Sequence, residues 1–172
     1  MPQNVYDDPE FFEGYSRLRR SVQGLAGAPE WPAVRRVLPD LRGRRVVDLG
    51  CGFGFFCRWA AASGAARVVG YDLSEKMLER ARRDTEDPIV EYVRADLENL
   101  ELAEAGFDLA FSSLALHYVA DFRRLVAAVH RGLVPGASFV FTVEHPIFTA
   151  PLEPAWAAGP DGRRAWPVSS YA

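Results

Sequence analysis

An α/β fold built on a parallel sheet is predicted for this 172-residue chain, and two observations carry that prediction. Short β-branched runs bounded by turns alternate with amphipathic helical segments, the pattern that parallel strands and their crossovers leave in a sequence. The first such run, VVDL, breaks into GCGFGFF at residues 50–56, where glycines at alternate positions permit positive φ and a sharp strand-to-helix turn around a ligand.

The strand candidates are residues 44–49 (RRVVDL), 66–72 (ARVVGYD), 89–96 (IVEYVRAD), 107–113 (FDLAFSS) and 137–144 (ASFVFTVE). Helical crossovers are expected at 55–64, 74–84, the short polar segment 99–106, and 121–133. Ser74 is placed to cap the second of these, with Met77 and Leu78 turned toward the sheet and Arg80, Arg82 and Arg83 near its C-terminal end. Asp121 can cap the last in the same way, and Pro135-Gly136 is a stop signal before a new strand. Ahead of the sheet, 29–38 (PEWPAVRRVL) reads as a helix packed on its edge, preceded by a polar, aromatic leader over 1–27. Residues 145–172 show no clear period and read as an extended loop.

Composition narrows the function. An apolar share of 49% suits one domain with a sizeable core. The formal charge of -3 argues against a surface for nucleic acid, which needs clustered basic residues in excess. No apolar run approaches the roughly 20 residues a membrane helix requires, and the start lacks a basic region followed by an apolar core. A cytoplasmic protein is expected. Cys51 and Cys57, in and just after the glycine turn, match neither a disulfide framework nor a zinc knuckle, so no metal is expected.

Open parallel sheets bind ligands beyond the carboxyl ends of their strands, where strand order reverses. The glycine turn belongs there. Its third glycine, Gly54, comes one residue too early for the dinucleotide pattern G-x-G-x-x-G, and no Gly-Lys-Ser or Gly-Lys-Thr follows for a phosphate loop. An ionised Asp48, two residues before Gly50, disfavours a pyrophosphate and suits an ammonium group. Asp72, ending the second strand, is placed to accept hydrogen bonds from a ribose diol. Asp96, ending the third, can accept from an exocyclic amine, while Leu73 and Leu97 can sandwich an adenine. S-adenosylmethionine carries all these parts.

Taken in order, DLGCGFG, VVGYDLS, RADLENL, FDLAFSSLALHYV and LVPGASFVFTVEHP resemble the successive motifs of the class I S-adenosylmethionine-dependent methyltransferases, over roughly residues 34–148. The flavour is similar to the small-molecule enzymes of ubiquinone and biotin pathways. The resemblance implies a Rossmann-like three-layer α-β-α sandwich with strand order 3-2-1-4-5. It also implies that Gly50, Cys51, Gly52 and Gly54 shape the methionine pocket and that Asp48 supports the amino end. Asp72 would hold the ribose hydroxyls and Asp96 would face the adenine, flanked by Leu73, Leu97 and Met77. Ser112 and Ser113 would border the sulfonium through backbone groups. YSRLRR, residues 15–20, resembles the family's leader, which implies a cofactor cap over 1–27 with Tyr15 packing and Arg19 pairing the methionine carboxylate; a solvated basic helix turn is the alternative.

The expected activity is transfer of a methyl group from S-adenosylmethionine to the O, N or C atom of a small-molecule acceptor, leaving S-adenosylhomocysteine. Such an in-line displacement needs alignment more than a nucleophile or a metal. An imidazole near neutrality is the natural base. His145, after the fifth strand, is favoured over His117, after the fourth, whose alternative is packing against Tyr118. His130 lies within a helix and reads as solvated. The motif SSLALHYV in place of Asn-Pro-Pro-Tyr argues against methylation of adenine or glutamine amino groups.

The departure from the family lies after residue 144, where an antiparallel hairpin would complete a seven-stranded sheet. The expectation is a hairpin missing through truncation, a catalytic domain over 28–148, and an extended loop over 149–172 that forms a substrate lid or a cut edge. An exposed fifth strand would then offer a surface for dimerisation. Phe148, Trp156, Trp166 and Tyr171 would close a lid or cover the sheet edge. The rival classes are an inactive or non-catalytic S-adenosylmethionine-binding protein and an NAD-dependent oxidoreductase.

Overall fold

The computed structural model describes residues 4–145, 147, 155–159 and 161–166. Contacts divide the chain into two units, Met1–Thr142 and Val143–Ala172. In the first unit β1 (Arg45–Leu49), β2 (Arg67–Asp72), β3 (Val90–Arg94), β4 (Phe107–Ser113) and β5 (Leu133–Thr142) form one sheet. Every neighbouring pair is parallel and the order is β3-β2-β1-β4-β5, the arrangement expected. Order reverses between β1 and β4, which places the carboxyl end of β1 at the switch point where ligands bind.

The apolar runs are continuous because the central strands are buried on both faces. Val46, Val68, Leu109 and Phe111 face one side, against α3 (Trp31–Val37), α4 (Phe55–Ala62) and Leu78 of α5 (Glu75–Arg83). Val47, Leu49, Val69 and Ala110 face the other, against Leu125 and Val129 of α6 (Phe122–Gly132). Phe56 stacks on Phe111 with centroids 3.7 Å apart, so α4 is held tightly over β4. Two short helices, α1 (Pro9–Ser16) and α2 (Arg19–Gln23), organise the leader.

Caps set the helix starts. Ser74 Oγ accepts from Met77 N–H at 3.2 Å and Asp121 Oδ1 from Arg124 N–H at 2.9 Å, as the sequence predicts. The crossover at 99–106 is a correction: only a 3₁₀ turn at Leu97–Asn99 forms. Eight residues barely nucleate a helix, and Leu100 instead anchors the segment in the second core. Pro135-Gly136 does not delay the fifth strand. β5 pairs from Leu133, and its register against β4 shifts between Phe107 and Leu109, so the two residues are absorbed in an irregularity that an edge strand tolerates.

The second unit holds more structure than an extended loop. β6 (Ala157–Ala158) and β7 (Arg164–Ala165) pair antiparallel, and Asp161 Oδ1 accepts from Arg163 N–H at 3.1 Å in the turn between them. Trp156 and Trp166 meet edge to face at 5.3 Å, and Arg164 lies 5.2 Å over Trp156. This pair is a sheet of its own, and among the described residues no antiparallel strand joins the five parallel ones. Phe148 and Tyr171 lie outside the described residues. Among the described residues no helix is long and apolar enough to cross a membrane.

Candidate cofactor site

The turn between β1 and α4 is built by backbone bonds that glycine alone allows. Gly50 N–H and Cys51 N–H both donate to Tyr71 O, at 2.8 and 2.9 Å, fastening the turn to β2. Gly52 and Gly54 adopt φ of +51° and +71°, a region costly for other residues. Their surroundings differ. A Cβ on Gly54 would stand 2.0 Å from Tyr92 Oη, whereas one on Gly52 would meet nothing within 4 Å. Gly54 is therefore needed for packing beneath the loop, and Gly52 leaves its upper side open. Gly50 is closed off by the segment after β4, since its Cβ would lie 2.3 Å from Ala115 Cβ.

Residues that the sequence reading passed over support the turn from below. Arg58 donates to Phe53 O at 2.8 Å, and Tyr92 Oη reaches Gly54 O at 3.4 Å. Gly54 precedes α4 without any side-chain cap. Arg58 lies inside α4 with no motif to mark it, so the sequence carries no signal for its contact.

Two carboxylates support the turn, and burial raises the pKa of both. Asp72 Oδ2 accepts from Gly52 N–H at 2.8 Å and Oδ1 from Ser74 N–H at 2.9 Å. Each oxygen keeps a lone pair for a further donor. Asp48 is 2% exposed and lies under the turn, where Cys57 Sγ–H donates to its Oδ2 at 3.3 Å. Burial pushes its pKa up to about 7, so the fixed negative charge expected of it is only partly present near neutrality. Gly70 makes room for this arrangement, since its Cβ would lie 2.9 Å from the sulfur of both Cys51 and Cys57.

Asp96 Oδ1 accepts from Glu98 N–H at 2.9 Å, capping the 3₁₀ turn. Leu97 packs partly into the second core, and Leu73 is half-buried with its carbonyl bonded by Arg94. Met77 is 2% exposed and belongs to the core beneath α5. Ser112 is wholly buried, its Oγ donating to Leu49 O at 2.6 Å and tying β4 to β1. Ser113 Oγ and Thr142 Oγ1 are 3.2 Å apart, joining β4 to β5.

The leader reaches the turn through rings. Tyr15 and Phe12 meet Phe53 at 5.8 and 5.7 Å, and Tyr6 packs on Tyr15 and Phe11. Arg19 is exposed, and its Nε donates to Gln23 at 2.9 Å within its own helix. With Leu18, Arg20, Ala26, Gly27 and Pro29 it lines a surface cleft of about 370 Å³. Arg80, 3.9 Å over the Phe53 ring, joins Arg58 in placing a guanidinium on the glycine turn.

Of the histidines, His117 lies in the turn after β4, its ring 4.3 Å from that of Tyr118 and its Nδ1 buried without a hydrogen-bond partner. His145 belongs to the second unit, exposed, with Nδ1 accepting from Ile147 N–H at 3.2 Å. His130 is exposed on α6. Among the described residues no cluster of His, Cys, Asp and Glu is arranged to hold a metal.

A five-stranded parallel sheet with a glycine turn after its first strand and a carboxylate holding that turn from its second defines a Rossmann-like cofactor-binding fold. The methyltransferase domain family matches residues 47–141, and the chain belongs to it. A crystallised S-adenosylmethionine-dependent methyltransferase from Mesorhizobium loti is 58% identical, with a TM-score of 0.80 over 85% of this chain and 67% of its own. The malonyl-[acyl-carrier protein] O-methyltransferase of Pseudescherichia vulneris is 37% identical over 86% of this chain and 54% of its own length. Phosphoethanolamine N-methyltransferase 2 of Haemonchus contortus, solved with S-adenosyl-L-methionine, is 26% identical with a TM-score of 0.72 over 83% of this chain and 35% of its own. The chain spans about half the length of the curated relatives it matches. S-adenosylmethionine is the cofactor of this class.

Proposed function

We propose that the chain binds S-adenosylmethionine across the carboxyl ends of β1, β2 and β4 and transfers its methyl group to a small or carrier-linked acceptor. The observation that carries this reading is Asp72, whose two oxygens are each held by one backbone N–H and each keep a lone pair for a ribose hydroxyl. The open side of Gly52 gives the methionine end room to approach the backbone. These features fit the cofactor; the short pyrophosphate pattern of the turn speaks against NAD.

When bound, the cofactor supplies a methyl group already activated on a sulfonium. The chain then has to align donor and acceptor and exclude water, which is worth on the order of 7 to 11 kcal/mol. Gly50, Cys51, Gly52 and Gly54 shape the turn, with Asp48 beneath it at the amino end. Asp96, Leu73 and Leu97 stand at the adenine end, and Met77 supports them from the core. Ser112 and Ser113 fix the end of β4 beside the reacting centre. Tyr15 and the leader cap the site, and Arg19, its Nε held by Gln23, offers its remaining guanidinium donors to an anionic group. His117, with an unpartnered buried nitrogen, replaces His145 as the first candidate for acceptor contact. The domain body that carries the site is 28–148.

Relatives named for malonyl-[acyl-carrier protein] make a carboxylate the first acceptor to try. A carboxylate is ionised at neutral pH and needs no base. Calorimetry with S-adenosylmethionine, S-adenosylhomocysteine and NAD tests the cofactor reading: binding of the first two, abolished in Asp72→Ala, is expected, and binding of NAD alone refutes it. Labelled methyl transfer to a metabolite pool and to malonyl carrier protein then separates a transferase from a binding protein.

A further inference from the structure

The leader is fastened to the sheet by one carboxylate. Asp7 Oδ1 accepts from Ser74 Oγ at 2.5 Å and from Lys76 N–H at 3.2 Å, and Oδ2 accepts from Asn4 Nδ2 at 2.5 Å. Asp7 thereby occupies the first turn of α5, where backbone donors are left over and the helix dipole favours a negative charge. Burial raises its pKa, but the bonds from Ser74, Lys76 and Asn4 outweigh that and hold the carboxyl below its ordinary range. It is ionised at neutral pH.

Ser74 links this carboxylate to the one that would hold the ribose. The residue is 1% exposed; its N–H donates to Asp72 Oδ1 while its Oγ donates to Asp7 and accepts from Met77 N–H. The chain of contacts therefore runs from the leader through Ser74 and Asp72 to Gly52 N–H. A second tie lies nearby, where Tyr6 Oη and Tyr118 Oη are 3.1 Å apart. Between the ties, Phe12 and Tyr15 lie on Phe53 of the glycine turn.

We propose that Asp7 is a positioning residue for the cofactor: it clamps the leader onto α5 so that Tyr6, Phe12 and Tyr15 close over the glycine turn, and through Ser74 it orients Asp72. The clamp retards cofactor release more than it hastens capture. A helix cap within one element would need none of this, since Ser74 already caps α5. Asp7 acts across 67 positions of sequence, so its natural role is to couple leader docking to the ribose carboxylate. This inference rests on the proposed binding of S-adenosylmethionine.

The test uses the full chain and S-adenosylhomocysteine as the probe, with dissociation followed by stopped-flow fluorescence and leader protection by hydrogen exchange. Asp7→Ala removes a charged acceptor of several hydrogen bonds, so release is expected about tenfold faster or more, with association little changed. Residues 9–16 should lose protection in the same variant. Asp7→Asn keeps an acceptor oxygen without the charge and should fall between. Release from Asp7→Ala at the wild-type rate, where the wild-type chain binds the probe, overturns the clamp alone. Failure of the wild-type chain to bind overturns the cofactor reading and this inference with it.

Discussion

Asp48→Asn should stabilise the chain, and by an amount that grows with pH. Asp48 lies under the glycine turn with its carboxyl pKa pushed to about 7 by burial, slightly offset by the Cys57 hydrogen bond and reinforced by the Asp72 charge. In the unfolded chain the same group titrates near 4. Because the folded pKa is the higher, the folded state binds the extra proton, and the stability this brings is complete below about pH 4 and lost as pH rises through about 7. The gap of about 3 pH units corresponds to about 4 kcal/mol in total, of which about 3 kcal/mol falls between about pH 5 and pH 8. Asparagine is isosteric, can accept from Cys57, and carries no charge to bury. Urea unfolding of both chains at a series of pH values, read as the difference in free energy, isolates this group from all others that titrate. An advantage of the variant that widens by about 3 kcal/mol over that range is expected. Parallel curves would refute the assignment of Asp48 as a carboxyl protonated by burial.

Other predictions concern the turn and the strands that carry it. Gly54→Ala should destabilise the chain by about 1–3 kcal/mol, as measured by thermal melting, through positive φ and collision with Tyr92, and Tyr92→Phe should relieve part of that loss. Gly52→Ala, whose added methyl meets no protein atom, should cost about 1 kcal/mol of stability yet weaken S-adenosylhomocysteine binding strongly in calorimetry. Ser112→Ala removes the bond to the Leu49 carbonyl and should cost about 1–2 kcal/mol in urea. Asp108 accepts from Arg45 N–H and from its guanidinium, which lower its pKa; Asp108→Asn should destabilise above pH 4, and the difference should vanish as pH falls through the lowered pKa.

The sheet was legible because its central strands are buried on both faces: β1 and β2 each carry a pair of valines and give way to glycine or aspartate, and β4 is apolar over Leu109–Phe111. Residues 107–113 were delimited to the residue, and β1 and β2 differ by one at their starts. The segment 99–106 misled because it fills the place of a crossover between two strands, while its length does not support a helix. The site was legible in type and less so in state. Asp72 stands where its position at a strand end places it, bonded to the turn. The protonation of Asp48 depends on how deeply the turn buries it and on a thiol nine positions away. Arg19 matched a motif, but Arg80 is the cation on Phe53. The role of Asp7 had no local signal, because its partners are 67 and 69 positions distant.

The paired thiols against Gly70 give the glycine turn a chemical clock. Burial raises the pKa of Cys57 to about 11 and that of Cys51 well above its ordinary value, so neither is a nucleophile while the loop is closed. An alkylating reagent supplied in excess can react only during excursions that lift the turn from β2, and the labelling rate counts those excursions. Because Cys51 lies in the turn and Cys57 in α4, the order in which the two are tagged distinguishes a loop that peels alone from one that carries its helix with it.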